Sequence, residues 1–304
     1  MSCPLCSNTK SIAVRQYGIP ELRGAWLSSF GIDPYPDLLG DKKITKKRCM
    51  TCQLQYFEPA IYGDADFYSK LSQYPWYYED DKWEYDVATE VVARIEPSSL
   101  LEVGCGSGAF LVKIEGMGTQ VEGVDINPDA ISACKAKGLK VEAADIFEIR
   151  QSYDAVVLFQ VLEHMSDLER LFEFLTTKLV RPDGHIIIAV PNPDGFLKEM
   201  GINLLDMPPH HNSCWSFATF EYLASRYGLQ LVEYKKEPLR YVHYLGLMQD
   251  MLRKQATLSV KTLKGRLFNK LQSLILRLFL PLTYWQARER IDGQTHLVVF
   301  KNGR

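Results

Sequence analysis

The sequence predicts an α/β fold, a doubly wound and mostly parallel sheet with helices on both faces, preceded by a small cysteine module. Three observations predict it. Short apolar runs at 100–103, 121–124, 155–159 and 186–190 alternate with helical segments, the signature of parallel strands joined by crossover helices. The first run empties into a glycine turn, Gly104-Cys105-Gly106-Ser107-Gly108, that leads directly into a helix. Two Cys-x-x-Cys pairs, Cys3/Cys6 and Cys49/Cys52, stand ahead of the alternating region.

The 304 residues accommodate one large α/β domain with smaller attachments. A formal net charge of −2 gives no global attraction to phosphate backbones, which disfavours nucleic acid as a partner unless a local basic patch exists. Met1-Ser2-Cys3-Pro4-Leu5-Cys6 lacks the basic stretch and apolar run of a secretory signal, so the expected location is the cytoplasm. In that reducing compartment the seven cysteines read as metal ligands, nucleophiles or core residues, not as a disulfide framework.

In chain order, residues 1–60 form the cysteine module. Its two pairs are knuckles that present thiolates to one tetrahedral zinc ion, so Cys3, Cys6, Cys49 and Cys52 are the expected ligands of a structural zinc ribbon. A lone Cys-x-x-Cys can instead be a thiol exchanger; two pairs favour zinc. The long spacer containing Gly31-Ile32-Asp33-Pro34-Tyr35-Pro36 has to loop out, and Lys42, Lys43, Lys46, Lys47 and Arg48 read as the solvated face of a hairpin. Residues 61–84 are an aromatic and acidic linker, and it leads into a helix carrying Val87, Val91, Val92 and Ile95 at helical spacing. From 85 to 304 runs the large domain. Leu229–Tyr234 and Thr295–Phe300 are two further strands, the latter the last of the sheet, which makes 241–290 an insertion before it.

The glycine turn is the strongest functional signal. Glycines admit positive φ and let a ligand approach the backbone closely, and Gly104, Cys105, Gly106 and Gly108 are candidate cofactor contacts. Gly104-x-Gly106-x-x-Ala109 also fits the dinucleotide fingerprint, so a nicotinamide enzyme has to be weighed. The neighbours separate the readings. Glu102, two residues before the turn, can bond through the turn or to a cofactor amino group, whereas a pyrophosphate disfavours a carboxylate there. Asp125, followed by Ile126, ends the second strand where an acid binds ribose hydroxyls. Asp145, followed by Ile146, closes the third, where a carboxylate can accept from an adenine amino group. Taken singly, each of these is ordinary turn chemistry; the set in this order is not. The thiols of Cys105 and Cys134 read as small buried groups.

This set resembles the class I S-adenosylmethionine-dependent methyltransferases over roughly residues 85–240. The resemblance extends through Tyr153-Asp154-Ala155-Val156-Val157 and Phe159-Gln160-Val161-Leu162-Glu163-His164-Met165-Ser166-Asp167, which is similar to the fourth-strand motif of ubiquinone-pathway O-methyltransferases. Arg181-Pro182-Asp183-Gly184-His185 and the run from Ile186 to Asn192 are similar to that family's turn and fifth strand. It implies a Rossmann-like sheet whose last strand is antiparallel, S-adenosylmethionine as cofactor, and Phe159 and Gln160 as further cofactor contacts. A zinc ribbon before such a domain is similar to that of sugar methyltransferases from polysaccharide gene clusters and of certain ribosomal RNA methyltransferases.

Methyl transfer from a sulfonium is an in-line displacement, so holding nucleophile and methyl together is the main task. A sugar or alcohol hydroxyl also needs a base, and histidine suits neutral pH. The candidates are His164, at the end of the fourth strand, and His210 and His211 in Asp206-Met207-Pro208-Pro209-His210-His211-Asn212, a segment that resembles the loop after the fifth strand. The expected reaction is methylation of a small-molecule or sugar hydroxyl. A nucleotide-sugar C-methyltransferase, an RNA methyltransferase and a non-catalytic S-adenosylmethionine-binding scaffold stay open as alternatives. Residues 251–290 mix Arg253, Lys254, Lys261, Lys264 and Arg266 with Leu267, Phe268, Leu271, Leu274 and Ile275, a segment suited to peripheral membrane contact, a lid or a packed helical hairpin.

Overall fold

A computed structural model describes residues 2–38, 42–74, 77, 79–198, 202–256 and 283–304. The larger of its two sheets begins with β4 (Ser99–Val103), β5 (Gln120–Asp125), β6 (Val141–Ala143) and β7 (Tyr153–Phe159). It is completed by β8 (Val180–Pro191), β10 (Leu229–Pro238) and β11 (Asp292–Asn302). Their order across the sheet is β10-β11-β8-β7-β4-β5-β6. The strands from β8 to β6 run parallel, and β11 is antiparallel to both of its neighbours. The expected mixed sheet with an antiparallel last strand is therefore present.

Packing explains why the central strands read as unbroken apolar runs. Alternate residues of β7 enter opposite cores: Val156 and Leu158 pack with Leu171, Phe172 and Phe220, while Ala155, Val157 and Phe159 pack with Val87, Val91 and Phe110. Both faces are covered, so both sets must be apolar. The helices on these faces are α3 (Trp83–Ile95), α4 (Ala109–Lys113), α5 (Pro128–Ala136), α6 (Leu168–Phe174) and α7 (Phe217–Tyr227). Asn127 caps α5 and Ser216 caps α7, each side chain accepting a first-turn N–H.

The smaller sheet contains β1 (Ser11–Gly18), β2 (Lys43–Cys49) and β3 (Gln55–Glu58), and a short strand from the large domain, β9 (Ser213–Cys214), joins its edge. Against it lies α1 (Ile19–Phe30), which buries Ile19, Leu22 and Trp26 with Tyr35, Ile44, Phe57 and Phe67. Phe67 comes from α2 (Ala65–Leu71), a helix capped by Asp64.

Several local expectations change. The spacer expected to loop out is partly core, because Ile32 and Tyr35 are buried against α1. The segment read as a linker carries α2, whose amphipathic turn supplies Phe67 and Leu71 to the same core. The basic run 42–48 does not present one cationic face: most of it is β2, the strand between β1 and β3, with Lys47 paired to Glu58 and Lys46 over the Phe57 ring. Arg181-Pro182-Asp183-Gly184, read as a turn, lies within β8; Asp183 takes φ 63° there, and the register with β7 shifts between Tyr153 and Ala155. The insertion starts as α8 (Tyr241–Ala256); its stretch 257–282, which carries most of the basic and apolar residues, lies outside the described residues. Among the described residues no helix is long and apolar enough to cross a membrane.

Candidate functional site

The glycine turn joins β4 to α4 at the carboxyl edge of the sheet, the edge at which open α/β folds bind ligands. Gly104 and Cys105 donate to the Val124 carbonyl at 2.8 and 3.1 Å, which ties the turn to β5. Gly104 has φ 71°, and a Cβ on it would lie 2.6 Å from Val161 Cγ2, so glycine is required both by conformation and by the loop after β7. At Gly108, φ 74°, a Cβ would lie 2.5 Å from Leu139.

Asp125 stands beside this turn with its carboxylate already directed. Oδ2 accepts from Gly106 N at 2.9 Å and Oδ1 from Asn127 N at 2.8 Å, leaving further lone pairs for a hydroxylated ligand. Ile126 next to it is 78 % exposed, an apolar side chain with its face open beside a polar anchor. Glu102 is buried, with one carboxylate oxygen that has no hydrogen-bond partner. Burial pushes its pKa well up, and the charge of Lys82 works against that. Asp145 caps a short turn, accepting from Phe147 N at 2.9 Å, and Ile146 is buried beneath it. Phe159 is buried and packs edge-on to Phe110 with ring centroids 4.8 Å apart. Gln160, at φ 56°, donates to Glu84 at 3.0 Å. The thiols of Cys105 and Cys134 are buried, Cys134 donating to the Gly106 carbonyl at 3.2 Å.

The four cysteines of the N-terminal module converge. Cys3 and Cys52 Sγ are 3.5 Å apart, as are Cys6 and Cys49, and all four sulfurs lie within 4.8 Å of one another. A tetrahedral zinc with bonds of about 2.3 Å needs sulfur separations of roughly 3.8 Å, so the set fits such an ion. Burial pushes Cys6 up to about 11, and the hydrogen bond from Cys52 brings Cys3 down to about 6. Four such thiols cannot all ionise together without a cation.

The three candidate histidines also meet. His164 follows β7, while His210 and His211 precede β9. Ring centroids are 4.8 Å apart for His164 and His210, 4.8 Å for His164 and His211, and 4.4 Å for the stacked pair His210 and His211. His164 Nδ1 lies 2.7 Å from the His210 carbonyl, His210 Nδ1 lies 2.8 Å from the Leu205 carbonyl, and His211 Nδ1 lies 3.2 Å from Asp206 Oδ1. Burial holds His164 down at about 3 and His210 well below the usual imidazole range.

Four further residues belong to this cluster and were not singled out from the sequence. Glu163 is fully buried, neither carboxylate oxygen has a hydrogen-bond partner among the described residues, and burial raises it to about 7; Oε1 is 4.0 Å from His211 Nε2. Asp206 orients His211. The Tyr68 and Tyr77 hydroxyls approach His164 Nδ1 and His210 Nε2 at 3.2 and 3.4 Å. Glu163 and Asp206 had a signal, lying beside the histidines in the quoted segments. The tyrosines had none beyond an aromatic stretch. The loop after β7 runs from Val161, against Gly104, to Glu163 and His164, and the charge of Lys82 acts on both Glu102 and Glu163.

Residues 76–234 match the model of a methyltransferase domain family. A ubiquinone biosynthesis O-methyltransferase of Rhizobium etli is 33 % identical over 107 residues, covering 32 % of this chain and 43 % of the relative. One of Alkalilimnicola ehrlichii is 28 % identical over 126 residues, covering 37 % and 50 %. The chain thus spans at most about half the length of these curated relatives. Among solved structures, a SAM-dependent methyltransferase from Archaeoglobus fulgidus is 21 % identical, with a TM-score of 0.47 over 71 % of this chain and 94 % of that one.

Proposed function

On the premise that the chain belongs to the class I S-adenosylmethionine-dependent methyltransferase family, we propose that it methylates a hydroxyl of a small-molecule or sugar acceptor in the cytoplasm. S-adenosylmethionine sits on the glycine turn, with Gly104, Cys105, Gly106 and Gly108 offering backbone, Asp125 taking the ribose hydroxyls, Ile126 and Ile146 flanking the adenine, and Asp145 accepting from its amino group. Glu102 and the backbone of Phe159 and Gln160 complete that side.

The observation that supports a hydroxyl acceptor is the polar cluster one loop away. Glu163 offers two oxygens without a hydrogen-bond partner among the described residues, beside the three imidazoles. An unpartnered buried carboxylate is costly unless something completes it; an acceptor hydroxyl does so and gives up its proton in the same contact. The Glu163–His211 pair would take the acceptor proton, and S-adenosylmethionine, when bound, would supply the methyl group to the acceptor oxygen. His164 and His210 line the acceptor oxygen, and the cysteine module holds one structural zinc. The segment 251–290 supplies any contact with a membrane surface.

Incubation of the full chain with methyl-labelled donor and fractionated cell extract, followed by mass identification of the product, tests the reading. Label on an oxygen of a small molecule or glycan is expected; label on RNA or on carbon would replace the acceptor class. The purified chain should retain about one zinc after dialysis against a mild chelator. Metal analysis of a Cys3→Ser/Cys49→Ser variant that keeps this zinc would place the ion elsewhere.

A further inference from the structure

We propose that His164, His210 and His211 form a second metal site, one for a divalent transition ion of the zinc, cobalt or iron type. The inference rests on the reading of this cluster as the acceptor side, and it adds a metal ion to that site. The tautomers carry it. A carbonyl oxygen only accepts, so the 2.7 Å contact to His210 O and the 2.8 Å contact to Leu205 O place the proton of His164 and of His210 on Nδ1. Asp206 Oδ1 lies 3.2 Å from His211 Nδ1, an ion-pair contact on that side of the ring. In the neutral form His164 and His210 therefore keep their lone pair on Nε2, and the Asp206 contact on Nδ1 leaves the Nε2 side of His211 for a ligand. Each has its other nitrogen anchored by an oxygen acceptor, the outer arrangement that orients imidazoles for a metal and raises their basicity.

Convergence is the second observation. One ring nitrogen from each of the three histidines lies within 4.8 Å of the others, the same limit that the four thiols satisfy. An ion at about 2.1 Å from each nitrogen needs separations of roughly 3.4 Å, so the rings close on it by side-chain adjustment. Glu163 is the third. It is buried, neither oxygen has a hydrogen-bond partner among the described residues, and Oε1 stands 4.0 Å from His211 Nε2; a cation among the rings adds positive charge beside this carboxylate. Nitrogen donors select a borderline transition ion over magnesium or calcium. The Tyr77 hydroxyl, 3.4 Å from His210 Nε2, moves off that lone pair when an ion arrives. With His211 engaged, Glu163 alone receives the acceptor proton.

The test uses Co²⁺ as the probe on the full chain carrying one equivalent of zinc, monitored by calorimetry and visible absorption. One further Co²⁺ per chain is expected, with ligand-field bands but no thiolate-to-cobalt charge-transfer band. His211→Gln and His164→Gln should each weaken this binding by at least about tenfold to a hundredfold, while zinc content and S-adenosylmethionine binding, measured on the same samples, stay as in the wild type and show that the variants are folded. Mg²⁺ in place of Co²⁺ should give no comparable heat. Failure of the zinc-loaded wild type to take up a second ion overturns the site, as does Co²⁺ affinity unaltered in both variants. Neither result depends on turnover, so methyl transfer to a hydroxyl stands or falls separately by its labelled product.

Discussion

The turn after β4 and the cluster after β7 occupy neighbouring positions at one edge of the sheet, yet they are built on opposite principles. In the turn, the two aspartates are engaged by the protein itself, Asp125 accepting two backbone N–H groups and Asp145 capping its own turn, while one oxygen of Glu102 has no hydrogen-bond partner among the described residues. The ligand is then an added partner to a finished scaffold. In the cluster both oxygens of Glu163 lack a hydrogen-bond partner among the described residues, and three imidazoles crowd beside them. One region is rigid and ready; the other is completed by what binds.

The sharpest break of this comparison is Glu163→Gln. It should lower kcat by roughly 10²–10⁴-fold, the range for loss of a general base, with donor affinity unchanged by calorimetry. A parallel loss of donor affinity would mean that the two regions are one site. Asp125→Ala should act the other way, weakening S-adenosylmethionine by about 1–3 kcal/mol through lost charge-assisted bonds while kcat at saturating donor holds. Gly108→Ala sharpens the scaffold side of the comparison: with φ 74° and a Cβ placed 2.5 Å from Leu139, it should cost about 1–2 kcal/mol in thermal unfolding. An unchanged Tm would show that the turn is slack.

The smallest effect lies away from both regions. Burial acts to raise Asp154, but Arg181 at 2.7 Å and Ser99 outweigh it and hold its carboxyl below the usual range. A depressed folded pKa stabilises above the unfolded value, and that contribution is lost as pH falls through the folded one. The pair is partly exposed, so Asp154→Asn should cost less than about 1 kcal/mol at pH 7 and close to nothing near pH 2. Denaturant melts at the two pH values decide it.

The same contrast explains what the sequence disclosed. The strands and turn of the cofactor side are contiguous: Glu102 through Gly108 is one stretch, and Asp125 and Asp145 close the next two strands in order, so periodicity and spacing expose them. The acceptor side draws on α2, the segment before α3, the loop after β7 and the loop before β9, and no local pattern announces that Tyr68 and Tyr77 meet His164 and His210. Ile32 and Tyr35 escaped for a related reason. A Gly/Pro-rich spacer signals turns, and only the tertiary partner in α1 makes its two apolar residues core.

The two-residue strand β9 also has a bearing on how the chain acquires its shape during synthesis. It seals the edge of a sheet whose other three strands lie within the first 58 residues, and Ile61 bonds to the Asn212 side chain across 151 residues of sequence. These three strands are made before β9 and therefore have an open edge for the whole time the central strands are being made. At roughly 5–20 residues per second, that interval is on the order of ten seconds or more. The histidine loop, emerging last of these pieces, closes the edge and takes up its own position in one event, so a nascent chain stalled before residue 214 would expose a strand to its neighbours.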